Sequence, residues 1–146
     1  MLRTILVALD GSRQSLAALE LAISVAGDMH SRLVLVSAID AGEAERILAD
    51  AGALVAASEI TYASHVLDGP PVSAILDAAR AHDVDLIVMG TQGRSGAARA
   101  VLGSTSEGVL REGRVPILVT RGLSRNEPHE PQGTPRRSVE AARRGL

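Results

Sequence analysis

The feature of this sequence that most constrains its fold is a repeated alternation between short apolar runs and segments of helical periodicity. Continuous apolar runs such as 5–9 and 86–89, each bounded by turn residues, are typical of strands buried on both faces. We predict five strands, at residues 2–9, 32–38, 60–67, 86–89 and 115–120.

Segments of helical periodicity fill the four intervals between these strands. The first helix has four apolar residues on one face: Leu16, Leu19, Ile23 and Ala26. Ser12 is suited to cap the N-terminus of this helix, and Leu54 belongs to the apolar face of the second helix. The fourth helix is predicted over 104–111, with Ser104 as its N-cap and Glu107 completing a capping box.

Strand–helix units that alternate in this way predict an α/β fold with a five-stranded parallel sheet and helices on both faces. Right-handed crossovers restrict the topology, and we predict a doubly wound sheet with strand order 3-2-1-4-5, partly because this order brings the loops after strands 1 and 4 together. Strands 1 and 4 are then neighbours where the winding reverses, and ligands of open α/β sheets bind there, outside the carboxyl ends of the strands. The loops at 10–12 and 90–103 are therefore the candidate binding loops.

The segment after the fourth strand is rich in glycine, with Gly90, Gly93 and Gly103 preceding the fourth helix. Glycine lets the backbone approach an anion closely, and a helix N-terminus offers free N–H groups and the positive end of the helix dipole. Three hydroxyl side chains add further donors: those of Ser104, Thr105 and Ser106. We therefore predict that this loop binds phosphate.

Composition excludes several classes of function. All 15 basic residues are arginines, which excludes mechanisms that require a lysine, including that of the P-loop. With one Tyr and no Phe or Trp, the chain offers no aromatic platform for stacking nucleic-acid bases. The absence of Cys excludes disulfides and thiolate metal sites. No apolar run suits a signal peptide or a membrane span, so we expect a cytoplasmic protein without a membrane partner.

Charge and composition divide the chain into two parts. Residues 1–122 carry ten Arg against fourteen acidic residues, whereas residues 123–146 carry five Arg against three. An acidic body argues against nucleic acid as the main partner. The polar segment at the C-terminus, which contains three Pro, cannot bury enough apolar surface to offset the entropy of ordering. We predict one nucleotide-binding domain at 1–122 and a disordered tail at 123–146.

The glycine spacing has a family counterpart. Gly90, two residues, Gly93, nine residues and Gly103-Ser104, together with the Asp10-Gly11-Ser12 turn, resemble the ATP-binding branch of the universal stress protein family. The resemblance covers about residues 2–121. It implies a stress-response module that binds ATP with Mg²⁺ and acts on a regulatory protein partner that the sequence does not identify.

The resemblance also implies roles for individual residues. Asp10 faces the ribose or phosphate edge and contacts Mg²⁺ indirectly, the backbone of Ala38 meets adenine, and Met89 lines the ribose side. The family more often has His-Val where this chain has Ser37-Ala38, which predicts a looser pocket around the base. The candidate nucleotide-binding residues are Ala8, Asp10, Ala38, Met89, Gly90, Gly93, Arg94, Gly103, Ser104, Thr105 and Ser106.

Two other functions share part of this pattern. A slow ATPase or phosphotransferase would use the same site with Asp10 and Mg²⁺, although the chain has no lysine and no evident general base. A phosphoacceptor receiver domain has the same alternation but requires an acidic pair after strand 1 and a lysine after strand 5, where this chain has Asp10 alone and Arg121. An ATP-binding module is the leading hypothesis, and ATP hydrolysis is the alternative.

The fifth strand predicts a homodimer. In the order 3-2-1-4-5 this strand lies at an edge of the sheet, and Ile117, Leu118 and Val119 make it apolar on both faces. An uncovered edge of this kind is a template for pairing with another chain. Two copies that meet across a two-fold axis pair their fifth strands antiparallel. The family resemblance implies the same arrangement.

Overall fold

The structure is a computed structural model that describes residues 1–91 and 102–121. Its elements are β1 (Thr4–Ala8), α1 (Arg13–Met29), β2 (Arg32–Ser37), α2 (Ala41–Ala57), β3 (Tyr62–Val66), α3 (Pro71–Ala81), β4 (Leu86–Gly90), α4 (Ser104–Glu112) and β5 (Ile117–Thr120). The predicted site residues Gly93 and Arg94 and the predicted tail at 123–146 lie outside the described residues.

The strands form one parallel sheet of order β3-β2-β1-β4-β5, which confirms the predicted topology. β1 lies at the centre, since Val7 is the register partner of Leu35 on β2 and of Val88 on β4. The carboxyl ends of β1 and β4 are therefore adjacent, and the segments that follow these two strands meet at the same edge of the sheet.

The side chains of β1 alternate between two hydrophobic cores. Ile5 and Val7 pack with α1 and α2 on one face, whereas Leu6 packs with α3 and α4 on the other. All three side chains are fully buried, and each large aliphatic side chain buried in this way contributes about 1.5–3 kcal/mol. The predicted placement of helices on both faces is confirmed, and the buried sheet holds the site at its carboxyl edge.

The buried face of α1 differs from the predicted one. Leu16 is 45% exposed, and the residues that the helix buries are Ser15, Ala18, Leu19, Ala22 and Ala26. Leu54 of α2 is 47% exposed as well. Small side chains face the sheet because the helix packs closely against it, whereas apolar periodicity gives most weight to large side chains.

The start of α4 also differs from the prediction. Gly103 is the N-cap, with φ −75° and ψ 165°, and Ser104 is the first helical residue. The predicted capping box is therefore wrong, and the Glu107 N–H donates instead to the Gly103 carbonyl at 2.9 Å. Glycine is itself a favourable N-cap residue, so the sequence allowed both starting points.

Candidate functional site

A cavity of about 350 Å³ opens at the carboxyl ends of β1 and β4, at the predicted switch point. Nine of the eleven predicted site residues line it: Ala8, Asp10, Ala38, Met89, Gly90, Gly103, Ser104, Thr105 and Ser106. Ser12 belongs to the predicted binding loop at 10–12, whereas six further lining residues were not predicted: Leu9, Ser15, Val36, Ile39, Pro71 and Ile75. The role of each of these residues in binding stays a prediction.

One part of the cavity is apolar. Val36 and Met89 come from the sheet, Ile39 follows β2, and Pro71 and Ile75 belong to the first turns of α3. Val36, Ile75 and Met89 are at most 5% exposed. Surfaces of this kind accept a flat, uncharged ring, and the neighbouring backbone can supply hydrogen bonds to its edge.

Another part of the cavity is the N-terminus of α4. The N-cap Gly103 has no side chain to accept a hydrogen bond from the first turn, and the first N–H groups of a helix have no acceptor within the helix. The N–H of Gly103 itself donates to the carbonyl of Thr91. The N–H groups of the next three residues, which line the cavity, and the positive end of the helix dipole suit an anion.

Ser106 connects this helix to the segment that follows β4. Its side chain is 2% exposed, and its Oγ lies 2.9 Å from the Thr91 carbonyl and 3.1 Å from the Gly103 carbonyl, to which it donates. The hydroxyl hydrogen of Ser106 is therefore used within the protein. Its backbone N–H is the donor that this residue can offer to a ligand.

Asp10 is the only ionisable side chain among the described residues that line the cavity. Its Oδ1 accepts a hydrogen bond from the Ser12 N–H at 2.9 Å, which closes a turn around Gly11. Gly11 has φ +82°, in the region that favours glycine. The carboxylate is thus held at the carboxyl end of β1, which lies between β2 and β4 in the sheet.

Gly90 has a packing role in addition to its predicted binding role. A Cβ added at Gly90 would lie 2.6 Å from the Cβ and 2.8 Å from the carbonyl carbon of Gln14. Only glycine therefore allows β4 and the start of α1 to approach so closely. The glycine at this position fixes the relation between the two elements that border the cavity.

The lining residues that sequence analysis missed carry a topological signal. Pro71 and Ile75 belong to α3, which begins at the carboxyl edge of the sheet because it follows β3. Every helix of a parallel α/β sheet begins at that edge. The first turn of each helix was therefore a candidate for the site, and the search for glycine motifs did not include α3.

Side chains that could hold a metal are few in this region. No group of three or more His, Asp or Glu residues within 1–91 and 102–121 is arranged to bind a metal ion. Asp10 provides the one carboxylate among the described residues that line the cavity. None of the helices in the described part of the chain is long and apolar enough to cross a membrane.

The amino edge of the sheet contrasts with the cavity. Asp85 Oδ2 accepts hydrogen bonds from the N–H groups of Arg3 at 2.9 Å and Thr4 at 3.0 Å. The backbone N–H of Thr4, followed by that of Arg3, lowers the pKa of the Asp85 carboxyl below its ordinary value. Asp85 therefore joins the start of β1 to the start of β4.

Comparison with known proteins matches the chain to one family. The model of the Universal stress protein family matches residues 1–54 and 41–121. A universal stress protein of Thermus aquaticus is 34% identical over an alignment of 139 residues, and this alignment covers 83% of this chain and 100% of that relative.

Solved structures of similar proteins have the same fold. A universal stress protein family member from Burkholderia pseudomallei is 28% identical with a TM-score of 0.65, and the match covers 80% of this chain and 94% of that one. A universal stress protein solved in complex with cAMP is 25% identical to this chain, with a TM-score of 0.69. The match covers 84% of this chain and 99% of that one.

Proposed function

The chain belongs to the universal stress protein family, and on that premise we propose that it is a regulatory module of the stress response that binds ATP. The observation that carries the proposal is the α4 N-terminus, which has no side-chain cap and borders a cavity that also has an apolar lining. A nucleotide has the same division, since its base has apolar faces and its phosphates are anionic.

Adenine occupies the apolar part in this proposal. Ala38 lines the cavity directly after β2, and its backbone groups are available to pair with the edge of the base. Guanine carries a carbonyl where adenine carries an amino group, so the same backbone groups would pair poorly with it. The cAMP-bound relative supports an adenine nucleotide as the ligand class.

The phosphates contact the N–H groups at the start of α4. Charge-assisted hydrogen bonds from these groups favour ligands with more phosphate charge, so ATP should bind more tightly than AMP. Mg²⁺ is held by the phosphates and its waters, with Asp10 contacting it through water, since Mg²⁺ usually retains several waters. The sequence-predicted residues Gly93 and Arg94 complete the loop in this proposal.

Isothermal titration calorimetry on the nucleotide-free, full-length chain tests the proposal. We expect affinity to decrease from ATP with Mg²⁺ through ADP to AMP, with GTP weaker than ATP. Equal affinity for ATP and GTP would exclude adenine recognition, and the absence of binding by millimolar ATP would exclude the function. Analysis of the bound nucleotide after incubation separates a binding module, which retains ATP, from a slow ATPase, which yields ADP.

We also propose that the module is a homodimer paired through β5. Within the described residues β5 pairs only with β4, and Leu118 of β5 is 37% exposed. Leu118→Glu should give a monomer in light scattering, whereas Leu16→Glu, which changes a leucine of similar exposure on α1, should leave a dimer. A monomeric unmodified chain at micromolar concentration would contradict the proposal.

A further inference from the structure

Three helices have a serine at their third position whose hydroxyl donates to the carbonyl of the N-cap residue. The Oγ···O distances are 3.0 Å for Ser15, 3.2 Å for Ser73 and 3.1 Å for Ser106. This local bond is common at helix starts. Ser15 differs from Ser73 because its Oγ also accepts a hydrogen bond from the Asp10 N–H, at 3.4 Å.

We propose that Ser15 is a positioning residue that fixes Asp10 for recognition of the ribose hydroxyls of the nucleotide. The inference rests on the proposed function and adds to it a residue outside the glycine motif. Ser15 is 5% exposed and begins the buried face of α1. It acts on the ligand through Asp10.

The hydroxyl of Ser15 forms hydrogen bonds with both ends of the turn at 10–12. Its Oγ accepts from the N–H of Asp10 and donates to the carbonyl of Ser12. Its backbone N–H donates to Ser12 Oγ at 3.1 Å, and the Ser12 N–H donates to Asp10 Oδ1 at 2.9 Å. The backbone and the carboxylate of Asp10 are therefore both fastened to the first turn of α1.

The chemistry of Asp10 selects the group that it can contact. Oδ1 already accepts from Ser12, whereas Oδ2 has no donor among the described residues. An ionised carboxylate only accepts hydrogen bonds, and phosphate oxygens at neutral pH are acceptors as well. The ribose hydroxyls are the donors of a nucleotide that lie between the base and the phosphates. Asp10 follows β1, which lies in the sheet between β2, the strand before Ala38, and β4, the strand that precedes α4 in the chain.

The hydroxyl of Ser15 is not itself available to the ligand. The hydroxyl donates its hydrogen to the Ser12 carbonyl, and its oxygen accepts a hydrogen bond from the Asp10 N–H. Removing this hydroxyl leaves the Asp10 N–H without its acceptor, while the Ser12 N–H still donates to Asp10 Oδ1. The backbone that carries the carboxylate is then held less precisely, and the preference for a ligand with ribose hydroxyls decreases because the acceptor is less well preorganised.

The test compares ATP with 2′,3′-dideoxy-ATP, which lacks both hydroxyls, on the full-length chain in EDTA so that metal contacts are absent. The unmodified chain should prefer ATP by about tenfold or more, since a hydrogen bond to a charged group contributes that much. Ser15→Ala should reduce the preference to about threefold or less. Ser73→Ala, which removes the same local bond from α3, should leave it unchanged.

A double-mutant cycle separates positioning from direct contact. Asp10→Ala should remove the preference for ATP over 2′,3′-dideoxy-ATP. The double variant with Ser15→Ala should then bind ATP with the same affinity as Asp10→Ala alone. Full preference in Ser15→Ala, or additive losses in the double variant, would overturn the proposal. If the unmodified chain binds both ligands equally, the role of Asp10 is wrong while nucleotide binding stands; if it binds neither, the proposed function itself fails.

Discussion

Helices α1 and α4 begin at the same cavity, but their N-termini are completed in different ways. In α1, Ser12 Oγ accepts the N–H of Ser15 at 3.1 Å, and the Ser12 N–H donates to Asp10. In α4, Gly103 has no side chain that could accept from the first turn. The N–H of Ser15 in the first turn of α1 is thus used within the protein, whereas the residues of the first turn of α4 line the cavity.

The difference shows how the N-cap residue determines what a helix N-terminus does. A serine cap stabilises a helix by about 1 kcal/mol, and glycine at the same position loses only a few tenths of that. α4 thus leaves its N–H groups for a ligand at little cost in stability. Substitutions at the two termini should consequently separate stability from ligand affinity.

Gly103→Val should have the largest effect on binding. The φ of −75° at Gly103 is accessible to any residue, so the fold should persist. The valine side chain would block the approach of phosphate to the α4 backbone and lower ATP affinity by more than about tenfold in calorimetry. Gly27→Val is the control, since a Cβ at Gly27 meets no atom within 4 Å. Normal affinity in folded Gly103→Val protein would remove α4 from the site.

Gly90→Ala should instead affect stability. The added Cβ would approach the backbone of Gln14 to 2.8 Å, and overpacking of this kind costs about 1–3 kcal/mol. Urea unfolding should report this loss, with Gly27→Ala as the control that shows none. An unchanged unfolding midpoint would indicate that α1 can move away from β4 without cost.

Ser12→Ala and Ser104→Ala should have opposite consequences. Ser12→Ala removes the α1 cap and should lower the free energy of unfolding by about 1 kcal/mol. Ser104→Ala removes no capping bond, because Gly103 is the N-cap, and should reduce ATP affinity with little change in stability. Thermal unfolding and calorimetry on both variants test the contrast, which an equal loss of stability in the two variants would contradict.

At the amino edge of the sheet, the Asp85 carboxylate accepts hydrogen bonds from two backbone N–H groups, as the Ser12 hydroxyl accepts one at the start of α1. Its pKa is lowered by the N–H groups of Thr4 and Arg3, so the unfolded chain takes up the proton at higher pH than the folded chain. The stabilisation is complete above the ordinary pKa of about 3.9 and is lost as pH falls through the lowered pKa.

Asp85→Asn should therefore be less stable than the unmodified chain at neutral pH, and the difference should shrink as pH falls below about 4. Urea unfolding of both proteins at several pH values measures this difference in the free energy of unfolding. Asp83→Asn is the matched control, since Asp83 is exposed and its φ of +48° is one that asparagine tolerates. A difference that is constant with pH would show that the two backbone hydrogen bonds do not depend on the charge.

Much of the fold could be predicted because it depends on periodicity and on general rules of chain topology. Buried strands such as β1 and β4 read as continuous apolar runs, and the strand order was chosen among right-handed topologies partly because it brings the loops after these two strands together. The exposed Leu16 was not predictable from periodicity, because the small residues of α1 face the sheet and carry little hydrophobic signal.

The cavity lining was predicted at glycines such as Gly90 and Gly103, whose spacing in the sequence is distinctive. It was missed where a residue reaches the cavity only through its tertiary position, as do Pro71 and Ile75, which are ordinary residues of a helix start. Ser15 belongs to the same group, since only the folded turn brings its hydroxyl to Asp10. Asp85 likewise reads as a solvated surface residue until the starts of β1 and β4 are placed side by side.

The most direct test of the account is the unfolding of the nucleotide-free, full-length chain with ATP and with adenosine, which shares the base and ribose but has no phosphate. The account predicts that ATP at a hundredfold excess over its dissociation constant stabilises the fold by about 2.7 kcal/mol. It also predicts that adenosine at the same concentration stabilises the fold less, and that Gly103→Val removes the difference between the two ligands. Equal stabilisation by ATP and adenosine, or none by millimolar ATP, would contradict phosphate binding at the N-terminus of α4.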